Sequence, residues 1–152
     1  MGTGVFKHIL IPTDGSPVSR KAVKAGIRLA KVLGACVTGY YAVELPWPAQ
    51  VYDGGDARGR RLLTEYGQRA TEAGKKHLAA VHRIARAAGV PYDSVLTQGV
   101  APHLGIVNTA KKLRCDAIIM ASHGRGGLTE VALGSVAHKV LIGSKIPVLV
   151  YR

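Results

Sequence analysis

A doubly wound α/β fold built on a mostly parallel sheet is predicted by three features of the sequence. Short β-branched runs alternate with helix-length amphipathic segments along the whole chain. The intervening segments are long enough for right-handed crossovers, and hairpins would need far less chain. Glycine and proline stand at the joints.

The elements follow in order. Val5, Phe6 and His8 to Ile11 form an apolar run halted at Pro12, the pattern of a buried strand. Ser16 before Pro17 marks a helix start, with a hydroxyl cap and a proline whose missing amide costs nothing there. Ala22, Gly26, Leu29, Ala30 and Leu33 then recur at helical spacing, Arg20, Lys24, Arg28 and Lys31 take another face, and Gly34 supplies the stop. Val37 to Val43 reads as the second strand. A long loop follows, from Glu44 to Arg61, holding Pro46, Trp47, Pro48, Tyr52 and the Asp53-Gly54-Gly55 turn. The second helix is expected from about Arg60 to Ala88, with a core stripe of Tyr66, Ala70, Ala73, His77, Val81, Ile84 and Ala88 closed by Gly89. Ser94 to Gln98, Asp116 to Ala121 and Pro147 to Tyr151 are the remaining strands; Pro102 to Leu113 and Gly134 to Ile142 are the remaining helices.

One domain spanning 1–152 is expected, since 152 residues can bury a sizeable core without staples. Cys36 and Cys115 lie apart beside apolar runs and read as packing thiols in a reducing compartment. No spacing suggests a metal site. No apolar stretch is long enough to span a bilayer and no secretory start is visible, so a cytoplasmic protein without membrane contact is expected. The net charge of +12 is spread evenly, 12 basic against 6 acidic residues up to residue 76 and 9 against 3 after it. Such a surplus attracts polyanions, but only one Phe and one Trp are present and no nucleic-acid-binding motif appears. The basic face of the first helix and Arg58, Arg60 and Arg61 are therefore read as solvated, and nucleic acid is not the expected partner.

In open parallel sheets ligands bind beyond the carboxyl ends of the strands, where neighbouring connections leave toward opposite faces. Two loops at such ends carry chemistry: Pro12-Thr13-Asp14-Gly15-Ser16, and Ala121 through Gly127 leading to Gly134-Ser135-Val136. Glycines permit close backbone approach, and free amides at a helix start attract an anion, so a phosphate cradle and a plain structural turn are both open readings. The segment is not a Walker loop, because no Gly-Lys-Ser/Thr follows at the required gap, and its glycines are misplaced for a dinucleotide fingerprint. Asp14 can meet a ligand or hold the turn before the first helix. His123 and His138 flank the segment without a carboxylate partner and read as structural or surface residues.

These residues resemble the universal stress protein family, whose nucleotide-binding members carry Gly-x2-Gly-x9-Gly-Ser/Thr after the fourth strand. The match here is Ala121-x2-Gly124-x9-Gly134-Ser135, accompanied by Ile9-Leu10-Ile11-Pro12-Thr13-Asp14-Gly15-Ser16, the Gly99 turn and Ile146-Pro147-Val148-Leu149-Val150. The resemblance implies a Rossmann-like domain with strand order 3-2-1-4-5 and ATP as ligand, with AMP or ADP as alternatives and Mg²⁺ carried by the phosphates. It implies that Pro12, Thr13 and Asp14 meet the adenosine, Ala42 lines the adenine pocket, and Met120 and Ala121 border the ribose. Gly124, Gly134, Ser135 and Val136 would hold the phosphates through amides and the Ser135 hydroxyl, with Arg125 either adding charge or staying solvated. On that reading valine at Gly124 or Gly134 blocks phosphate approach and leaves the fold largely intact.

Two departures stand out. Ala121 replaces the first motif glycine, which strains the chain if that position needs a positive φ and is harmless if only small size matters. The loop through Val100-Ala101-Pro102 is one residue longer than the common family form. The expected function is a nucleotide-responsive regulatory module in stress response, forming a homodimer through the C-terminal strand. No acidic residue is placed as a water-activating base, so ATP turnover would be weak at most. A fold working by protein contacts alone, or a transferase using the same crevice, are the alternatives.

Overall fold

The computed structural model describes residues 4–46, 56–125 and 132–152. Five parallel strands form one sheet in the order β3-β2-β1-β4-β5. They are β1 His8–Pro12, β2 Cys36–Val43, β3 Tyr92–Gln98, β4 Ala117–Ala121 and β5 Val148–Tyr151. The crossovers are α1 Pro17–Leu33, α2 Ala57–Ala88, α3 Pro102–Lys112 and α4 Ser135–Gly143. This is the expected doubly wound arrangement.

Each face of the sheet has its own core. Ile9, Ile11, Val37 and Ile119 pack against Val23 and Ile27 of α1 and Val81 and Ala85 of α2. On the other face Leu10, Tyr40, Ile118 and Met120 meet Ile106 of α3 and Ala137 and Val140 of α4. The central strands β1, β2 and β4 are buried on both sides, which explains their near-continuous apolar runs, while the edge strands β3 and β5 are partly exposed. Cys115 belongs to the second core, and burial pushes its thiol up to about 11, with Cys36 and Asp116 adding in the same direction. Both cysteines are free.

Local signals placed α1 well. Ser16 accepts a hydrogen bond from the Ser19 amide, Pro17 opens the helix, and Gly34 closes it in the left-handed region at φ 66°. Elsewhere long-range contacts moved the boundaries. β1 starts at His8 and not at Val5, which is 85% exposed. The amides of Lys7 and His8 donate to the Asp116 carboxylate at 2.6 and 2.8 Å, so the ladder starts only after that anchor. Asp116 is correspondingly the anchor before β4 and not its first residue.

The expected core stripe of α2 holds in part: Val81 is buried and Ala70, Ile84 and Ala88 pack against the cores, but Tyr66 and Ala73 are exposed, and Gly67, Gly74, Leu78 and Ala85 complete the row that faces the sheet. The helix lies so close that a Cβ on Gly74 would sit 2.6 Å from Tyr41 Cδ1, and one on Gly67 2.8 Å from Gln98 Nε2. A glycine contributes no apolar signal to a periodicity, so the neighbouring row of larger side chains looked like the core face. Trp47, Pro48, Tyr52 and the Asp53-Gly54-Gly55 turn, and the segment from Gly126 to Val131, lie outside the described residues.

Candidate functional site

The strand order puts the switch point between β1 and β4, because α1 leaves toward one face and α4 toward the other. A cavity of about 530 Å³ opens there, within the range of small-ligand sites. All eleven residues named as candidates from the sequence line it: Pro12, Thr13 and Asp14 from the β1 end, Ala42 from β2, Met120 and Ala121 from β4, then Gly124, Arg125, Gly134, Ser135 and Val136.

The β1 side is built from interlocked hydrogen bonds. Thr13 Oγ1 accepts from the Gly15 amide at 3.1 Å and from the Ser19 hydroxyl at 2.7 Å, and the Thr13 amide donates to the Tyr40 carbonyl at 2.9 Å. Thr13 is buried, so its hydroxyl knits the loop to α1. Asp14 Oδ1 accepts from the Ser16 amide at 2.9 Å. The cap of α1 is Ser16, and Asp14 holds the turn before it.

The other carboxylate oxygen of Asp14 reaches across the cleft, accepting the Arg125 amide at 3.0 Å. The Arg125 guanidinium returns the contact by donating to the Asp14 carbonyl and, at 3.0 Å, to the Tyr41 hydroxyl. Gly124 allows this approach, since a Cβ there would fall on Asp14 Oδ2. Arg125 is thus a cleft-bridging residue. Tyr41 in turn stacks on His77 of α2 with centroids 5.6 Å apart. Burial lowers the His77 pKa, the Arg125 charge lowers it further, Asp14 opposes this, and Arg20 adds to the lowering.

The β4 side begins with a close passage of backbone. The Gly134 amide donates to the Ser122 carbonyl at 2.6 Å, and a Cβ on Gly134 would lie 3.0 Å from both His123 Cα and Ser122 O. Two expectations are corrected here. The Gly134 amide is spent within the protein and is not free for an anion, and valine at this position would displace backbone as well as any ligand. Gly134 is also the N-cap of α4 and supplies no side chain to it. The first intrahelical bond is made by the His138 amide to the Gly134 carbonyl, so the amides of Ser135, Val136 and Ala137 precede the ladder. All three residues line the cavity. The positive end of the α4 dipole therefore faces it.

Ala121 closes β4 at 9% exposure and has an ordinary negative φ; among the described non-glycine residues only Arg114 has a positive one. Alanine is therefore unstrained at the first motif position, which does not need a positive φ here. Several cavity residues escaped the sequence reading. Tyr41 and Glu44 stand at the carboxyl end of β2, a position that could have flagged them. Tyr66 and Ala70 reach the cavity from the α2 row taken for core, and His123 lines it with its Nδ1 3.0 Å from the Ser122 hydroxyl. His138 is exposed and absent from the lining.

Comparison with known proteins gives a consistent result. The family model described as Universal stress protein family matches residues 6–152. Universal stress protein MJ0531 of Methanocaldococcus jannaschii is 37% identical over 152 residues, covering 99% of this chain and 85% of that protein. Among solved structures, MJ0577 superposes with a TM-score of 0.81 at 27% identity, covering 96% of this chain and 95% of that one. A universal stress protein in complex with cAMP superposes at 0.71 and 25% identity, covering 98% and 99%.

Proposed function

The chain belongs to the universal stress protein family, and from that premise we propose that it binds an adenine nucleotide, ATP first among them, and acts as a nucleotide-responsive regulatory module in stress response. The observation that carries the reading is the bare start of α4 on the cavity that Asp14 also lines. Unpaired amides and a helix dipole attract a polyphosphate without any cationic side chain. The similar structure holding cAMP supports an adenine nucleotide as the ligand class.

In this reading the amides of Ser135 and Val136 and the Ser135 hydroxyl take the phosphates, with Gly124 keeping that wall low. Met120 and Ala121 border the sugar, and Pro12, Thr13, Asp14 and Ala42 frame the base. Arg125 moves from Tyr41 toward the phosphates, so its charge follows the ligand. Mg²⁺ arrives with the phosphates and needs no ligand from the protein. The site binds and does not turn over at a useful rate, because among the described residues the cavity's acids, Asp14 and Glu44, include none held as a base beside the helix start. Regulation follows from linkage: a ligand at one hundred times its Kd stabilises the folded state by about 2.7 kcal/mol. The protein acts in the cytoplasm as a homodimer paired through β5, an edge strand of four residues whose Leu149 is exposed.

A second reading, a stress-protein fold working by protein contacts alone, draws on the Arg125 bridge, in which the protein's own groups occupy Asp14 and Tyr41. Calorimetry with ATP and Mg²⁺, together with mass spectrometry of small molecules released from the purified protein, separates the two. Saturable heat and a retained adenine nucleotide are expected. No heat and no thermal shift at millimolar ATP would remove the leading reading.

A further inference from the structure

α1 and α2 lie side by side on one face of the sheet and share one core. Their outer surfaces therefore form a continuous layer. The buried row of α1 runs through Ala22, Val23, Gly26, Ile27 and Ala30, leaving Lys21, Lys24, Arg28 and Lys31 exposed on the opposite side. On α2 the row Gly74, Leu78, Val81 and Ala85 faces inward, and exposed Lys76 and Arg83 point the other way. No acidic residue occurs anywhere in α1, nor in α2 after Glu72. Glu72 is itself paired with Lys75 at 3.1 Å, and the other ion pair among the described residues, Arg61 with Glu65, also lies on α2. Although the charge divides evenly between the two halves of the chain, α1 and α2 together hold 13 basic against 2 acidic residues, nearly all of the +12 surplus, a gathering that one helix face read alone could not reveal.

We propose that this layer is a docking surface for the phosphate backbone of duplex nucleic acid, bound without base readout. Charge complementarity selects a polyanion. Lys21 and Arg28, and likewise Lys24 and Lys31, stand two helical turns apart, about 10 Å, which spans about three phosphates along a strand. The scarcity of aromatic residues argues against single strands, whose binding needs stacking platforms, and is irrelevant to duplex phosphates. A bilayer is the poorer match. Membrane-surface helices insert a row of large apolar groups, and among the described residues the exposed ones are Val32 on α1 and Leu62 and Tyr66 on α2, the last two at least ten residues before Lys76 on the same helix. The inference stands apart from nucleotide binding, since the layer lies outside the cleft.

The test uses the full chain and a labelled mixed-sequence 30-base-pair DNA. Neutralising about five phosphates gives a log-log salt slope near −4.5, so affinity falls about 500-fold between 50 and 200 mM salt. The triple change Lys21→Glu, Lys24→Glu, Arg28→Glu lowers affinity by about 100-fold or more with thermal melting retained. A control of equal charge change on the opposite layer, Lys111→Glu, Lys112→Glu, Lys139→Glu, lowers it less than about tenfold. Absence of binding at 50 mM salt, equal losses for both triples, tighter binding of single-stranded DNA, or capture by phosphatidylserine vesicles that duplex fails to compete would each overturn the proposal.

Discussion

Two helices begin at the same cleft and begin differently. α1 is sealed by its own chain: Ser16 caps it, Pro17 removes one amide, and Asp14, Thr13 and Ser19 tie the preceding loop down. α4 starts from Gly134, whose own amide is spent on Ser122 while the next amides face the cavity without a side-chain cap. Orphan helix amides need partners, so a start left bare beside a cavity is where an external anion has the most to gain. The closed start stabilises the fold and the open one is available to a ligand.

The largest effect is expected where the open start depends on a close backbone passage. Gly134→Val should cost about 2 kcal/mol, because His123 Cα and Ser122 O stand 3.0 Å from the new Cβ. Thermal melting should fall by about 6 °C, and nucleotide heat should vanish; an unshifted melting curve would contradict the close packing. Ser135→Glu separates the two roles of the same helix start. A carboxylate in the first turn complements the dipole, giving about 0.5 kcal/mol of stability, while repelling phosphate enough to weaken ATP binding by about 30-fold. Melting and calorimetry on one sample check the opposite signs, and a parallel loss of both would break the contrast.

At the sealed start the order reverses. Ser16→Ala should cost about 1 kcal/mol of stability, read from denaturant midpoints, with ATP affinity changed less than about threefold. The smallest effect concerns His77 behind Tyr41. Its folded pKa is lowered by burial and by Arg125, so the unfolded chain binds the extra proton first. Its contribution is fully present above the unfolded value near 6.5 and is lost as pH falls from there toward the folded pKa. His77→Phe, which keeps a ring against Tyr41, should flatten the stability profile just below pH 6.5 compared with the parent; an unchanged slope would assign it to other groups.

Legibility followed the range of the interaction. The α1 boundaries were readable because Ser16, Pro17 and Gly34 act on backbone within one turn. The eleven candidate residues came from the family resemblance together with two loops flagged at strand ends, and they line one cavity because the sheet order brings those ends side by side. The α2 face was readable only in its second half, at Val81, Ile84 and Ala88, since Gly67 and Gly74 mark the rest by what they lack. His77 was passed over for a related reason: its partners Tyr41 and Arg125 belong to other elements.

From the sequence alone came the alternation of strands and helices, the caps, the family resemblance and the pair of loops that carry the chemistry. These depend on neighbours in the chain, where covalent geometry leaves few choices. Only the tertiary structure decided that Asp14 and Arg125, 111 residues apart, join across the cleft, that the Gly134 amide is consumed before a ligand could use it, and that two basic helix faces merge into one. Such contacts are set by how strands order themselves and how closely helices pack, and burying both faces of one sheet determines that only when every element is in place.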